Sequence, residues 1–202
     1  MSLNRSAIET ERLLLRPFTS ADLDDWAGSI FADPEVTRYL PKRDTTPQQR
    51  AERALRFVQE HWDRHGYGLW AVIERTTGQF IGQSGLNYLD ETGEVEVDYA
   101  LAKAYWGRGI ATEVARASLR FGFEHLGLER IIGLAMPENI ASRRVLECIG
   151  MSFVKDTHLF GLDLVNYAIL REQFWIDSSH YLIIVQEKLD GGVGEPMRGL
   201  HK

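Results

Sequence analysis

Gly107 and Gly109 stand where an alternating apolar run (Val95, Val97, Tyr99, Leu101) gives way to a helical pattern that continues to about Leu126. The stretch Tyr105-Trp106-Gly107-Arg108-Gly109-Ile110-Ala111-Thr112-Glu113 is therefore a strand-to-helix turn with both glycines at its tightest point. Glycine takes positive φ readily and lets a ligand approach the backbone without a Cβ in the way. The first N–H groups of the following helix have no intrahelical partner, and the helix dipole makes that end positive. Such a turn suits a phosphate, and N–H groups curled by the two glycines would add an anion-binding nest. The spacing leaves open a plainer reading, a loop before a helix. A Walker loop fits poorly, because it ends Gly-Lys-Ser/Thr and this stretch reads Gly-Ile-Ala. A dinucleotide fingerprint fits poorly too, with Thr112 where a third small residue belongs and no evident βαβ setting.

The strand before the turn carries acid–base groups. Glu94, Glu96 and Asp98 share one of its faces by strand alternation. Three carboxylates on one face repel, which raises the proton affinity of some of them. They read either as a reserve of general base or as a solvated polar face. His61, His65, His125 and His158 show no metal-ligand spacing and read as surface or helix-end residues, so no metal is expected.

These groups need a frame. Arg12-Leu13-Leu14-Leu15-Arg16-Pro17-Phe18 reads as a strand stopped by Pro17. Thr19-Ser20 offers an N-cap to a helix whose stripe is Leu23, Trp26, Ala27, Ile30 and Phe31, ended by Asp33-Pro34. Thr46-Pro47-Gln48-Gln49 is a capping box opening a second helix, with Ala51, Leu55, Val58 and Trp62 inward and Gly66 as its stop. Leu69 to Glu74, Phe80 to Leu89 and Glu94 to Leu101 are strands of an antiparallel meander. The central helix begins at about Ile110 and ends at Gly127. Arg130 to Ala135 is a fifth strand, and Asn139 starts a short helix stopped by Gly150. Phe153–His158 and Leu164–Leu170 form a last antiparallel pair. The crossover around the central helix makes one parallel pair in an otherwise antiparallel sheet.

The 202 residues suffice for one domain with a full core. Apolar content of 44% and charged content of 26% are ordinary for a soluble globule. A formal charge of −6 argues against a nucleic-acid partner, and a pI of about 5.5 mildly favours a cationic one. Cys148, as the one cysteine, excludes an internal disulfide framework and is consistent with a reducing, cytoplasmic setting. No apolar run reaches membrane-span length, and the first residues lack a signal-peptide layout. Tyr181–Val185 is an apolar run of strand or short-helix type with no partner evident, and Asp190–Lys202 is Gly-rich and expected to be disordered.

Trp106-x-x-Gly109-x-Ala111 resembles the pyrophosphate-binding Gln/Arg-x-x-Gly-x-Gly/Ala motif of the GNAT acyl-CoA N-acyltransferases. The longer Tyr-Trp-Gly-Arg-Gly-Ile-Ala-Thr-Glu string is similar to the RimJ/RimL-type branch, which includes the ribosomal-protein N-terminal acetyltransferases. Glu11-Arg12-Leu13-Leu14-Leu15-Arg16-Pro17-Phe18 and Asp33-Pro34-Glu35-Val36-Thr37-Arg38-Tyr39-Leu40 resemble the same branch. The resemblance spans about residues 10–174 as one N-acetyltransferase domain and leaves 175–202 as a C-terminal extension. It implies an α+β, three-layer fold: a mixed, mostly antiparallel twisted sheet of about seven strands, flanked by about four helices and splayed at the parallel pair.

The reaction so implied is attack of a primary amine on acetyl-CoA in a ternary complex. Gly107, Arg108, Gly109, Ile110, Ala111 and Thr112 would hold the pyrophosphate by backbone N–H groups, with Trp106 in place of the usual Gln/Arg and Arg108 either a charged contact or a surface residue. Leu101 would offer main-chain contact in the splay. Asn139-x-x-Ser142-x-x-x-Leu146 resembles the second half of the cofactor site, with Asn139 toward the pantetheine arm or simply an N-cap. Leu146 stands where many members carry a thiolate-protonating tyrosine, and Ser142 is the branch's proposed substitute. Glu96, in Glu-Val-Asp-Tyr, matches the family's Glu-x-Gly-Tyr base, with Asp98 for the glycine. Trp26, Tyr39 and Glu96 would line an acceptor pocket for a peptide or small-molecule amine, in a monomer or homodimer. Loss of the tyrosine and the Asp98 exchange also admit an inactive acyl-CoA-binding sensor. A nicotinamide or flavin oxidoreductase is disfavoured by the turn.

Overall fold

The computed structural model describes residues 5–41 and 44–185. Along the chain lie β1 (Ser6–Thr10), β2 (Leu13–Arg16), α1 (Leu23–Trp26), α2 (Pro47–His65), β3 (Leu69–Glu74), β4 (Phe80–Leu89) and β5 (Glu94–Leu101). Then come α3 (Ile110–Arg120), β6 (Arg130–Ala135), α4 (Ile140–Cys148), β7 (Ser152–Leu159), β8 (Leu162–Leu170) and β9 (Tyr181–Val185). The strands form one sheet in the order β7-β8-β6-β5-β4-β3-β2-β1-β9, antiparallel throughout except for β5 beside β6. The expected class and the single parallel pair are present; the sheet has nine strands rather than about seven.

The two further strands pair with each other. β9 runs antiparallel to β1, from Ser6↔Val185 to Thr10↔Tyr181. The run at Tyr181 thus covers the outer edge of β1, with Tyr181 and Ile183 against the core and Leu182 and Ile184 outward. Beyond it, the Asp190–Lys202 tail lies outside the described residues. Arg116 on α3 fastens the approach to β9, donating to Asp177 Oδ2 at 2.7 Å and to the Trp175 carbonyl. A chain ending at Ile176 is expected to aggregate or change mass by light scattering, because it bares the N–H and C=O groups of β1 as a free edge. A monodisperse, unaltered particle would show that β9 does not guard this edge.

Helix ends follow the local chemistry. Thr46 and Gln49 close a reciprocal capping box at 3.1–3.2 Å, and Gly66 ends α2 at φ 77°. The first helix is less regular than its stripe suggests: a 3₁₀ turn at Ser20–Asp22, the short α1, then a π turn at Ala27–Phe31. α3 also stops short of the expected Leu126, giving way to a π turn at Phe121–His125. Phe121 and Phe123 are both buried although two residues apart. A 3.6-residue period turns such a pair to different sides, so this segment is covered on more than one side. His61, read from sequence as surface or helix-end, lies near the end of α2 and is buried rather than on the surface. It pairs through Nδ1 with the Tyr67 carbonyl at 2.8 Å and accepts from the Tyr88 N–H at 2.9 Å through Nε2. Both ring nitrogens are satisfied and burial lowers its proton affinity, so it is a neutral core residue.

Candidate active site

The glycine turn takes the conformation its composition demands. Gly107 and Gly109 sit at φ 71° and 72°, and Gly109 is the N-cap of α3. A Cβ on Gly107 would meet nothing within 4 Å, and one on Gly109 only Arg12 Nη2 at 3.8 Å. The glycines answer backbone conformation rather than crowding. Beneath it lies a clamp that no local pattern announces. Arg12 donates to the Arg108 carbonyl at 2.9 Å and to Glu113 Oε2 at 2.6 Å, and Thr10 Oγ1 donates to Glu113 Oε1 at 2.6 Å. Gly109→Val is expected to weaken acetyl-CoA binding at least tenfold, about 1.4 kcal/mol, because a β-branched residue is strained at this φ. An unchanged dissociation constant in a folded variant would remove the turn from the cofactor site.

The side chains around the turn point elsewhere. Trp106 is 45% exposed and donates its indole N–H to the Leu101 carbonyl at 2.8 Å. Arg108 lies 3.4 Å from Glu74 Oε1 and 5.0 Å over the Tyr105 ring. Ile110 is buried, with Ala111 and Thr112 half-buried, so this segment presents chiefly its backbone.

β5 leads into the turn along an opening in the sheet. Ala102 donates to the Ile81 carbonyl at 2.8 Å, which fixes the even-numbered positions of β5 as bonded to β4. Odd-numbered N–H and C=O groups therefore turn toward β6. There the pairing is one bridge long, Glu96↔Ile132. The N–H groups of Tyr99 and Leu101 face the widening gap, while the Leu101 carbonyl is already taken by Trp106.

Glu94, Glu96 and Asp98 do share a face, but they differ in company. Glu94 is ion-paired with Arg130. Asp98 accepts from Gln83 Nε2 at 3.3 Å, and Gln83 Oε1 accepts from the Trp26 indole at 2.9 Å. Glu96 accepts from the Leu134 N–H on β6. Glu96 and Asp98 keep some accessible surface, yet protein surrounds them on most sides, and the surrounding volume governs desolvation. Burial first, and the Asp98 charge second, push Glu96 up to about 8 against the opposing Leu134 bond. Burial also raises Asp98, against the Gln83 amide.

On the opposite face of β5, α4 brings its first turn close. Asn139 caps α4, accepting from the Ser142 N–H at 3.1 Å through Oδ1, which leaves its amide N–H groups and one Oδ1 lone pair for any further partner. Tyr99 Oη donates to the Ser142 carbonyl at 3.1 Å and lies 2.9 Å from Ser142 Oγ. Leu146 is 1% exposed, under β6. A Cβ on Gly133 would stand 2.5 Å from it.

The acceptor side changes one expected residue. Trp26 is 1% exposed, stacked 3.9 Å from Phe18, and has no free surface to line a pocket. Its indole instead orients Gln83 and, through it, Asp98. Tyr39 is half-buried and donates to the Glu138 carbonyl at 3.4 Å, which sets it beside the start of α4. Tyr39, Asn139 and Ser142 thus lie together at the start of α4, while Glu96 stands where β5 meets β6. Gln83, Tyr99 and the Arg12–Glu113 clamp are the supporting residues that sequence reasoning missed. Among the described residues, no group of three or more His, Cys, Asp or Glu could hold a metal ion, and no helix is long and apolar enough to cross a membrane.

Known proteins share this plan. The acetyltransferase (GNAT) domain pattern matches residues 12–152. The Bacillus subtilis (strain 168) protein YkkB is 32% identical over 165 residues, covering 81% of this chain and 95% of that one. The N-acetyltransferase p20 of Bacillus licheniformis, itself uncharacterized, is 32% identical over 148 residues, 73% of this chain and 82% of that protein. The crystal structure of a GNAT-family acetyltransferase from Bacillus anthracis superposes with a TM-score of 0.70 at 28% identity, covering 82% of this chain and 99% of its own. With the domain pattern over most of the chain and the glycine turn, parallel pair and α4 in their places, the chain belongs to the GNAT family of acetyltransferases.

Proposed function

We propose that this enzyme transfers an acetyl group from acetyl-CoA to a primary amine by direct attack in a ternary complex. The carrying observation is the one-bridge parallel pair, which opens a gap between the glycine turn and the first turn of α4 with Glu96 on one face and Ser142 on the other. The residues fit acetyl-CoA: an unobstructed positive-φ cradle for its diphosphate, outward N–H groups on Tyr99 and Leu101 for its amide arm and carbonyl, and Asn139 at the far wall. When bound, acetyl-CoA supplies the activated thioester carbonyl. Glu96 draws a proton from the acceptor ammonium, directly or through water, and Ser142 hydrogen-bonds the departing sulfur. Two carboxylates on the acceptor face favour a cationic amine, either a peptide N-terminus or a small molecule. Residues 10–174 form the catalytic unit, and β9 from the extension seals its sheet.

The test is thiol release from acetyl-CoA with a panel of peptides, amino acids and small primary amines, alongside melting with CoA, acetyl-CoA and NAD. Binding only to the native state raises the melting temperature. The expected result is stabilisation by CoA and acetyl-CoA, not NAD, and turnover with at least one amine. Stabilisation without turnover of any amine would overturn the catalytic reading.

A further inference from the structure

Strand alternation sets Tyr99 on the opposite sheet face from Glu96 and Asp98. Its ring packs against the core, and its hydroxyl reaches the first turn of α4. There it makes both of its close contacts with one residue, the Ser142 carbonyl at 3.1 Å and the Ser142 Oγ at 2.9 Å. Asn139 Oδ1 holds the same residue's N–H at 3.1 Å. Ser142, in the first turn of a nine-residue helix, is thus fixed at its nitrogen, its carbonyl and its hydroxyl. One turn further along α4, Leu146 is buried beneath β6 and gives no polar atom to the gap.

We propose that Tyr99 is a positioning residue for acyl transfer: its phenol, delivered from β5, orients the Ser142 hydroxyl toward the departing sulfur. The inference rests on the reading of Ser142 above. A hydroxyl has one hydrogen and can accept two. When Tyr99 donates to the Ser142 carbonyl, Ser142 can spend its hydrogen on Tyr99 Oη. When Tyr99 donates to Ser142 Oγ, the Ser142 hydrogen is released to point at the sulfur. Negative charge growing on sulfur favours the second arrangement, and no proton leaves Tyr99 in either. Burial raises the proton affinity of the phenol, which keeps it a donor. The ring of Tyr99 also contributes to packing, so phenylalanine is the informative replacement.

The experiment compares Tyr99→Phe, Ser142→Ala and the double variant for kcat, acetyl-CoA dissociation constant and melting temperature. Tyr99→Phe should lower kcat about tenfold, the worth of one oriented hydrogen bond, with acetyl-CoA binding within about twofold of wild type. The double variant should be no slower than Ser142→Ala alone, because Tyr99 acts through the hydroxyl that alanine removes. A purely structural tyrosine would instead lower melting temperature and multiply its loss onto that of Ser142→Ala; that outcome overturns the inference. So does a slow Ser142→Ala beside a Tyr99→Phe of wild-type kcat, which leaves the Ser142 reading standing. Wild-type kcat in Ser142→Ala overturns both.

Discussion

Glu96→Gln is expected to lower kcat/KM by about 10²-fold or more at neutral pH, the ordinary worth of a general base. The pH dependence of the deficit is the sharper test. Glu96 is held up to about 8, so the wild-type base is largely protonated at neutral pH and becomes available as pH rises through that value. A small alkyl amine acceptor, with a pKa of about 10, is still protonated there. A peptide N-terminus, with a pKa of about 8, instead levels off together with Glu96 and keeps the deficit constant. With the alkyl amine, below about pH 8 both enzymes gain about tenfold per unit, wild type as Glu96 ionises and the variant as free amine accumulates. The deficit is therefore constant in that range. Above it Glu96 is already ionised while free amine keeps growing, so the deficit closes. Asp98→Asn should move the wild-type limb toward acid, because it removes the like charge that helps hold Glu96 protonated. A Glu96→Gln rate within about threefold of wild type at every pH would mark the residue as solvated surface.

The proton affinity behind that expectation was legible in part. Alternation alone put Glu94, Glu96 and Asp98 on one face and predicted that repulsion would raise some of them. It did not reveal that Arg130 would neutralise Glu94, since that ion pair joins neighbouring strands across a crossover. Strands with close partners and marked turns, such as Leu69–Glu74 and Phe80–Leu89 around Thr77-Gly78, were read to the residue. Ser6–Thr10 was missed because its five residues lack clean alternation and their outer partner begins at Tyr181. Trp26 was correctly placed on an inward stripe, but period says nothing of where an indole N–H ends. Stacking on Phe18 decides that, and it turns the residue from a pocket wall into a support for Gln83. Tyr99 shows the same limit: its face followed from period two, while the arrival of α4 above it depends on a contact 43 residues away.

Ser142→Ala is expected to lower kcat about 10²-fold while leaving acetyl-CoA binding within about twofold of wild type. The second half follows from what alanine leaves intact. The Ser142 N–H still caps onto Asn139 Oδ1, and the Ser142 carbonyl still accepts from Tyr99, so the first turn of α4 keeps both of its ties. Only the hydroxyl beside Tyr99 Oη is lost. Ground-state affinity survives because the cradle and the β5 edge are untouched, whereas an interaction made with a growing thiolate is lost from the transition state alone. Restoring a phenol from α4 should not compensate. Leu146→Tyr would have to fit a larger, polar side chain where Leu146 is 1% exposed beneath Gly133, and overpacking of that kind typically costs about 1–3 kcal/mol. Measured by single-turnover acetyl transfer and equilibrium binding, a Ser142→Ala rate within about threefold of wild type would mean that the sulfur leaves without a donor from α4, and that positioning by the cradle and proton removal by Glu96 carry the reaction.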